Sequence, residues 1–130
     1  MATFAKEIRD WHDLNAMRVS SCVHYYVLMN DLDSTTAGYE ALAGPNANGG
    51  KGWEPIGTVA TGVAPMPWQW YYPFTGTLDG QGHEVRDLFI DRPDEPYVGL
   101  FGYMRGSDVT DIGVVNASVT GLYCVGSLVG

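Results

Sequence analysis

Carboxylates, a few cations and one run of aromatics are the chemically suggestive groups in this sequence of 130 residues. His12 beside Asp13 has the composition of an acid–base pair, in which a carboxylate orients an imidazole. The same two residues suit the polar face of a short helix, and that reading is the stronger one. Asp31 and Asp33 resemble the opening of a calcium loop, but the glycine and closing glutamate that such a loop needs at fixed spacing are missing. Turn and corner roles are expected for them instead. Asp79-Gly80-Gln81-Gly82-His83 is glycine-rich yet has neither the lysine of a P-loop nor a helix after it, which argues against phosphate binding. His83 is expected to pack at a corner. Glu84, Arg86, Asp87 and Asp91 form the one cluster comparable to the carboxylate-plus-cation sites of polysaccharide-cleaving proteins. Their partial repetition at Asp108 and Asp111 points to a structural cause. Cys22 and Cys124 lie outside any CxxC pair and read as isolated buried thiols, not as zinc ligands or a disulfide framework. No catalytic constellation emerges, no metal site or cofactor is expected, and the chain reads as non-enzymatic.

The most suggestive stretch is Pro67-Trp68-Gln69-Trp70-Tyr71-Tyr72-Pro73. Exposed rings at Trp68, Trp70, Tyr71 and Tyr72 could stack on sugars while Gln69 bonds hydroxyls. They could equally form a protein-contact hot spot, or fold back over the flank of a small β structure, which is the reading favoured over either.

What must position these groups is a repeat. Glu84-Val85-Arg86-Asp87-Leu88-Phe89-Ile90 lines up with Asp108-Val109-Thr110-Asp111-Ile112-Gly113-Val114 at an offset of 24. Val98-Gly99-Leu100-Phe101-Gly102 lines up with Val125-Gly126-Ser127-Leu128-Val129-Gly130 at an offset of 27 or 28. Self-similarity at such a period in strand-like, glycine-rich sequence predicts stacked strands of a parallel β-helix. Val85 would stack on Val109, Leu88 on Ile112 and Ile90 on Val114, with Asp87 and Asp111 at bends, where a carboxylate can bond nearby backbone N–H groups. Gly99, Gly102, Gly126 and Gly130 would occupy corners without room for a side chain or with positive φ.

The segments "YVGLFGYM", "VTDIGVVNASVTG" and "CVGSLVG" resemble the GLUG repeat of large bacterial surface and secreted proteins. "YYVLMNDLD", "GWEPIG" and "FTGTLDGQGHEVRDLFI" resemble the sequence that commonly precedes those repeats. The resemblance covers roughly residues 22 to 130 apart from the middle insertion. It implies an adhesin-like scaffold and an exported location, and marks a fold more than a reaction.

Composition sets bounds. A single domain is the simplest organisation. Seven Lys and Arg against 15 Asp and Glu give a net charge of −8 and a pI near 4.5, which opposes nucleic-acid binding. Met1 to Arg18 has no apolar signal region, no run is long enough to span a bilayer, and the chain as written reads as cytoplasmic. Asp10 is a plausible N-cap for a helix whose face carries Trp11, Leu14 and Met17.

These readings combine into an all-β, short right-handed parallel β-helix of about three coils with an N-terminal capping α-helix. Residues 1–20 form the helical cap, 21–57 the first coil, 58–73 the aromatic and proline-rich insertion, and 74–130 the GLUG-like coils. The expected function is a non-enzymatic binding or self-assembly module. The alternative is a carbohydrate-binding or lyase-like protein using Trp68, Trp70 and Tyr71. A homodimer or small closed oligomer is expected through the C-terminal coil at Ile112, Val114, Val125 and Leu128, with a protein or carbohydrate as the conceivable ligand.

Overall fold

The computed structural model of the chain describes residues 5–19, 25–57 and 74–130. Their regular elements are β1 (Lys6–Ile8), α1 (Trp11–Ala16), β2 (Tyr25–Leu28), β3 (Thr77–Arg86), β4 (Phe89–Arg92), β5 (Asp108–Val115) and β6 (Ser118–Gly121). Short 3₁₀ turns at Met17–Val19 and Ala47–Gly50 and a π-helical turn at Tyr39–Ala43 complete the set. Four strands form one parallel sheet in the order β1-β2-β3-β5, and β4 pairs with β6 in a second parallel sheet.

This topology corrects the expectation of an all-β right-handed β-helix capped by a helix. The strands are divided between two separate sheets, and the described residues close no coil. The helix does not cover a first open end either. β1 stands at that edge of the sheet, paired through Lys6 with Tyr26 and through Ile8 with Leu28, and α1 follows it in the connection to β2. The physical reason lies between the strands. The long connection from β2 to β3 carries helical turns and buries Tyr39, Ala43, Ala47, Trp53 and Ile56 in the core. The result is a small sheet domain in which helical and irregular segments share the interior.

The register is also not the one that sequence similarity suggests. Thr77, Leu78 and Asp79 pair with Asp108, Val109 and Thr110, an offset of 31. After a shift between Asp79 and His83, the partners of His83 and Val85 are Ile112 and Val114, an offset of 29. Ile90 lies beside Val119, not Val114. The second alignment fares better, since Val98 bridges Val125 and Phe101 bridges Val129. Glycine makes that pairing possible: a Cβ on Gly99 would sit 2.6 Å from the Gly126 carbonyl oxygen, and one on Gly130 would sit 2.4 Å from the Val98 nitrogen.

The core is weighted toward the N-terminal side. α1 begins as its sequence predicts, with the Asp10 carboxylate accepting from the Asp13 N–H at 2.9 Å, the bond an N-cap supplies. Trp11, Leu14 and Met17 are buried together. Trp11 packs against Trp53 and Tyr39 at ring separations of 5.7 and 6.0 Å, and its indole N–H donates to the Asp33 carbonyl at 2.9 Å. Arg18 lies 5.4 Å over the Trp53 ring and donates to the Glu54 carbonyl at 2.7 Å, tying the helix end to the segment at 53–57. Such a contact adds both charge–π attraction and stem packing. Ile56 points inward and bridges Phe101.

Candidate interaction surface

β5 and β6 are the last strands of their sheets, and the segment after them lies beside Val98 and Phe101. Val98, Leu100 and Phe101 are buried by it. Nothing described buries the segment in return, and no residue from Arg105 to Gly130 is fully buried. Leu122, Tyr123, Val125 and Val129 are 57, 52, 43 and 40% exposed, a run of apolar surface. These side chains leave apolar surface beside the outer margins of β5 and β6.

Of the four residues expected there from sequence, Val125 is exposed while Ile112, Val114 and Leu128 are half-buried, with Ile112 and Leu128 packed against the core. Three tyrosines that sequence reasoning passed over belong to the same region. Tyr97 lies 5.9 Å from Tyr103 and 6.3 Å from Tyr123, with interplanar angles of 89° and 67°. Edge-on rings suit packing against one another or against a protein side chain. They do not offer the coplanar platform that a sugar ring needs. Trp68, Gln69, Trp70, Tyr71 and Tyr72 lie outside the described residues.

Among the described residues, six of the seven non-glycine positions with positive φ fall in pairs. Gln81 and Asp111, Asp87 and Asn116, and Tyr97 and Cys124 all have φ between 52° and 63°. The Asp87–Asn116 pair is cross-linked. Asn116 Nδ2 donates to Asp87 Oδ1 at 2.8 Å, and the Ser34 N–H donates to Asp87 Oδ2 at 3.2 Å. The Asp87 carbonyl also accepts from the Tyr39 hydroxyl at 2.7 Å. The Asn116 amide, and then the Ser34 N–H, hold the Asp87 carboxyl below its usual range. Burial pushes the Tyr39 hydroxyl up. Asp87 therefore joins three separate segments, which explains the acidic residue at this bend.

The other suggestive groups have structural roles. Asp33 accepts from the Thr35 hydroxyl and N–H at 2.6 and 2.8 Å, and the hydroxyl bond leads in lowering its pKa. Asp31 accepts from the Glu84 N–H at 2.8 Å and faces His83 Nδ1 at 3.3 Å. Arg86 pairs with Glu84 two residues away on the same strand, both side chains being exposed. Among the described residues no group of three or more His, Cys, Asp or Glu is placed to hold a metal ion. Cys124 is free and exposed, which corrects its reading as a buried thiol; Cys22 lies outside the described residues.

Comparison with known proteins gives distant, partial likenesses. The chain is 34% identical over 121 residues to halomucin of Haloquadratum walsbyi, a match covering 91% of this chain and 1% of that protein. It is also 34% identical over 100 residues to a protein of Evansella cellulosilytica described as a Gly-rich membrane protein, covering 77% of this chain and 9% of that one. The chain thus spans a small fraction of the length of either relative. No family model and no solved structure matches it. Among the described residues no helix is long and apolar enough to cross a membrane.

Proposed function

We propose that the chain is a non-enzymatic binding and self-assembly module, of the kind its GLUG-like sequence resembles, and that its working surface is the C-terminal strand edge at β5, β6 and residues 122–130. The single observation that carries this reading is the unmatched edge: two terminal strands and four large apolar side chains exposed in one segment. Such an edge captures another extended chain by completing its ladder, with side-chain packing supplying the choice of partner. A mucin and a membrane protein among the relatives favour a cell-surface setting, as a part of a larger polypeptide, over the cytoplasm. The carbohydrate alternative rests on Trp68, Trp70 and Tyr71, which lie outside the described residues, and draws no support from Arg86 and Glu84, whose side chains are exposed.

A labelled peptide with the sequence of residues 105–130 tests the reading, since it repeats the segment that the preceding strands already accept. Anisotropy should report binding to the intact chain and at least tenfold weaker binding to a Val125→Lys/Val129→Lys variant of unchanged circular dichroism. Equal binding to both proteins, or none to the wild type, overturns the proposal. Should that variant lose its fold, the milder Val125→Thr/Val129→Thr pair replaces it, with the same criteria.

A further inference from the structure

We infer that Asn48 is a self-modifying site: its side-chain amide is lost to attack by the Gly49 backbone nitrogen, and the change loosens its loop from β4. The inference is independent of the strand-capturing reading above.

The chain holds five asparagines, and Asn48 alone precedes a glycine. Ring closure onto an asparagine needs a following residue whose backbone turns freely and whose nitrogen is uncrowded, and glycine meets both needs. Asn15, Asn46 and Asn116 precede alanine, and Asn30 precedes Asp31. Asn48, Gly49 and Gly50 are all exposed. A Cβ added at Gly49 would meet nothing within 4 Å, and one at Gly50 would meet only the Pro45 carbonyl oxygen, at 4.0 Å. The tip of the loop therefore has room to move.

The folded loop restrains the reaction without preventing it. Asn48, Gly49 and Gly50 have φ of 51°, 69° and 92°. The Asn48 ψ of 44° places the Gly49 nitrogen nearly opposite Cβ across the Cα–C bond, so attack requires a rotation there. The bond from Asn48 Nδ2 to the Gly52 carbonyl at 2.8 Å opposes that rotation, as does a longer one from the Lys51 N–H to the Asn48 carbonyl at 3.4 Å. The second exceeds the ordinary hydrogen-bond range, and leaving the left-handed region relieves strain at Asn48.

In the reaction the Gly49 nitrogen bonds to Asn48 Cγ, the Cγ–Nδ2 bond breaks, and ammonia departs with the proton that Gly49 gives up. Water then opens the succinimide. Cleavage at Cγ restores the backbone and leaves aspartate. Cleavage at the backbone carbonyl leaves isoaspartate, whose main chain runs through Cβ and Cγ and is one carbon longer. Either product removes the donor to the Gly52 carbonyl, and aspartate sets an anionic oxygen against it. Gly52 bridges Ile90, and the bonds from the Asp91 N–H to the Lys51 carbonyl and from the Trp53 N–H to the Phe89 carbonyl, both 2.8 Å, flank that bridge. Loss of the side-chain bond therefore loosens the seam that carries Trp53 into the core.

The test is incubation of the intact chain for weeks in warm buffer, with peptide mapping by mass and enzymatic methylation of isoaspartate. Amide loss should occur at Asn48 at least tenfold ahead of the other four asparagines and should quicken as pH rises, because the attacking nitrogen must lose its proton. Gly49→Ala should slow it at least tenfold. In the converted chain, and in Asn48→Asp, the Trp53 and Asp91 amide hydrogens should exchange about fivefold faster, the factor that one hydrogen bond supplies. A folded chain that keeps its Asn48 amide, whether or not the urea-unfolded chain loses it, overturns the site. Conversion that leaves Trp53 and Asp91 exchange unaltered overturns the loosening.

Discussion

At one edge of the four-stranded sheet stand three residues, Lys6–Ile8, with a charged pair beside them and the buried Trp11–Tyr39–Trp53 cluster behind. At the other stand eight, Asp108–Val115, followed by a segment in which no side chain is fully buried. The first edge lies beside the buried aromatic cluster and carries charge where pairing would otherwise continue. The second covers its neighbours and is itself only partly covered. The difference teaches that burial and exposure of apolar side chains are divided between opposite sides of one small sheet. Aromatic area is buried on one side, and apolar area is left exposed on the other.

Aromatic truncation should break this comparison most sharply. Trp11→Ala should cost about 3–5 kcal/mol, the range for a fully buried large side chain, since Trp11 is wholly inaccessible and loses two ring contacts and a hydrogen bond. Tyr123→Ala, half exposed, should cost under ~1 kcal/mol. Urea midpoints of the two variants measure the gap; similar losses would mean that the C-terminal segment is core after all.

A smaller separation is expected within the aliphatic residues. Leu88→Ala removes a buried side chain and should cost about 2–4 kcal/mol. Ile112→Ala acts on a half-buried residue and should cost about half as much. A larger loss at Ile112 in dilute protein would contradict the exposed edge, whereas a larger loss only in concentrated protein would reflect a dimer.

The smallest effect is electrostatic. The Asp87 carboxyl, held low by Asn116 and Ser34, titrates below its unfolded value. Its contribution to stability is present above an unfolded pKa of ~3.9 and is lost as pH falls through the lower folded value. The wild type should therefore lose melting temperature below about pH 4, and Asp87→Asn should flatten that acid limb. Asp33 keeps part of the limb in the variant. Parallel acid limbs for the two proteins would show that the link from Ser34 through Asp87 to Asn116 does not couple their segments.

Much of the packing was legible in the sequence. The Asp10 cap, the Trp11–Leu14–Met17 face and the buried Val85, Leu88 and Ile90 follow from periodicity and capping chemistry. The bends at Asp87 and Asp111 were legible too, because a carboxylate suits left-handed turn geometry. The register was not. Similarity aligned Glu84–Ile90 with Asp108–Val114, but the irregularity between Asp79 and His83 absorbs residues that a constant offset cannot accommodate. Gln81 and Gly82 both adopt positive φ there, and sequence similarity carries no count of the residues a bend will consume. β1 was invisible because three residues with one apolar member show no alternation. The tyrosine cluster was missed for another reason: Tyr97, Tyr103 and Tyr123 are brought together by pairings at separations that no local pattern encodes.

The parallel order β1-β2-β3-β5 also decides how the molecule bears a load. β1 and β5 lie on opposite margins of the sheet, so tension entering the chain before β1 and leaving after β6 pulls across the ladders, in line with their hydrogen bonds. Bonds loaded this way open one after another from the margin, unlike those of strands drawn past each other, which must fail together. Yielding begins where burial is least, at residues 105–130. Drawn out fully, that stretch spans roughly 90 Å.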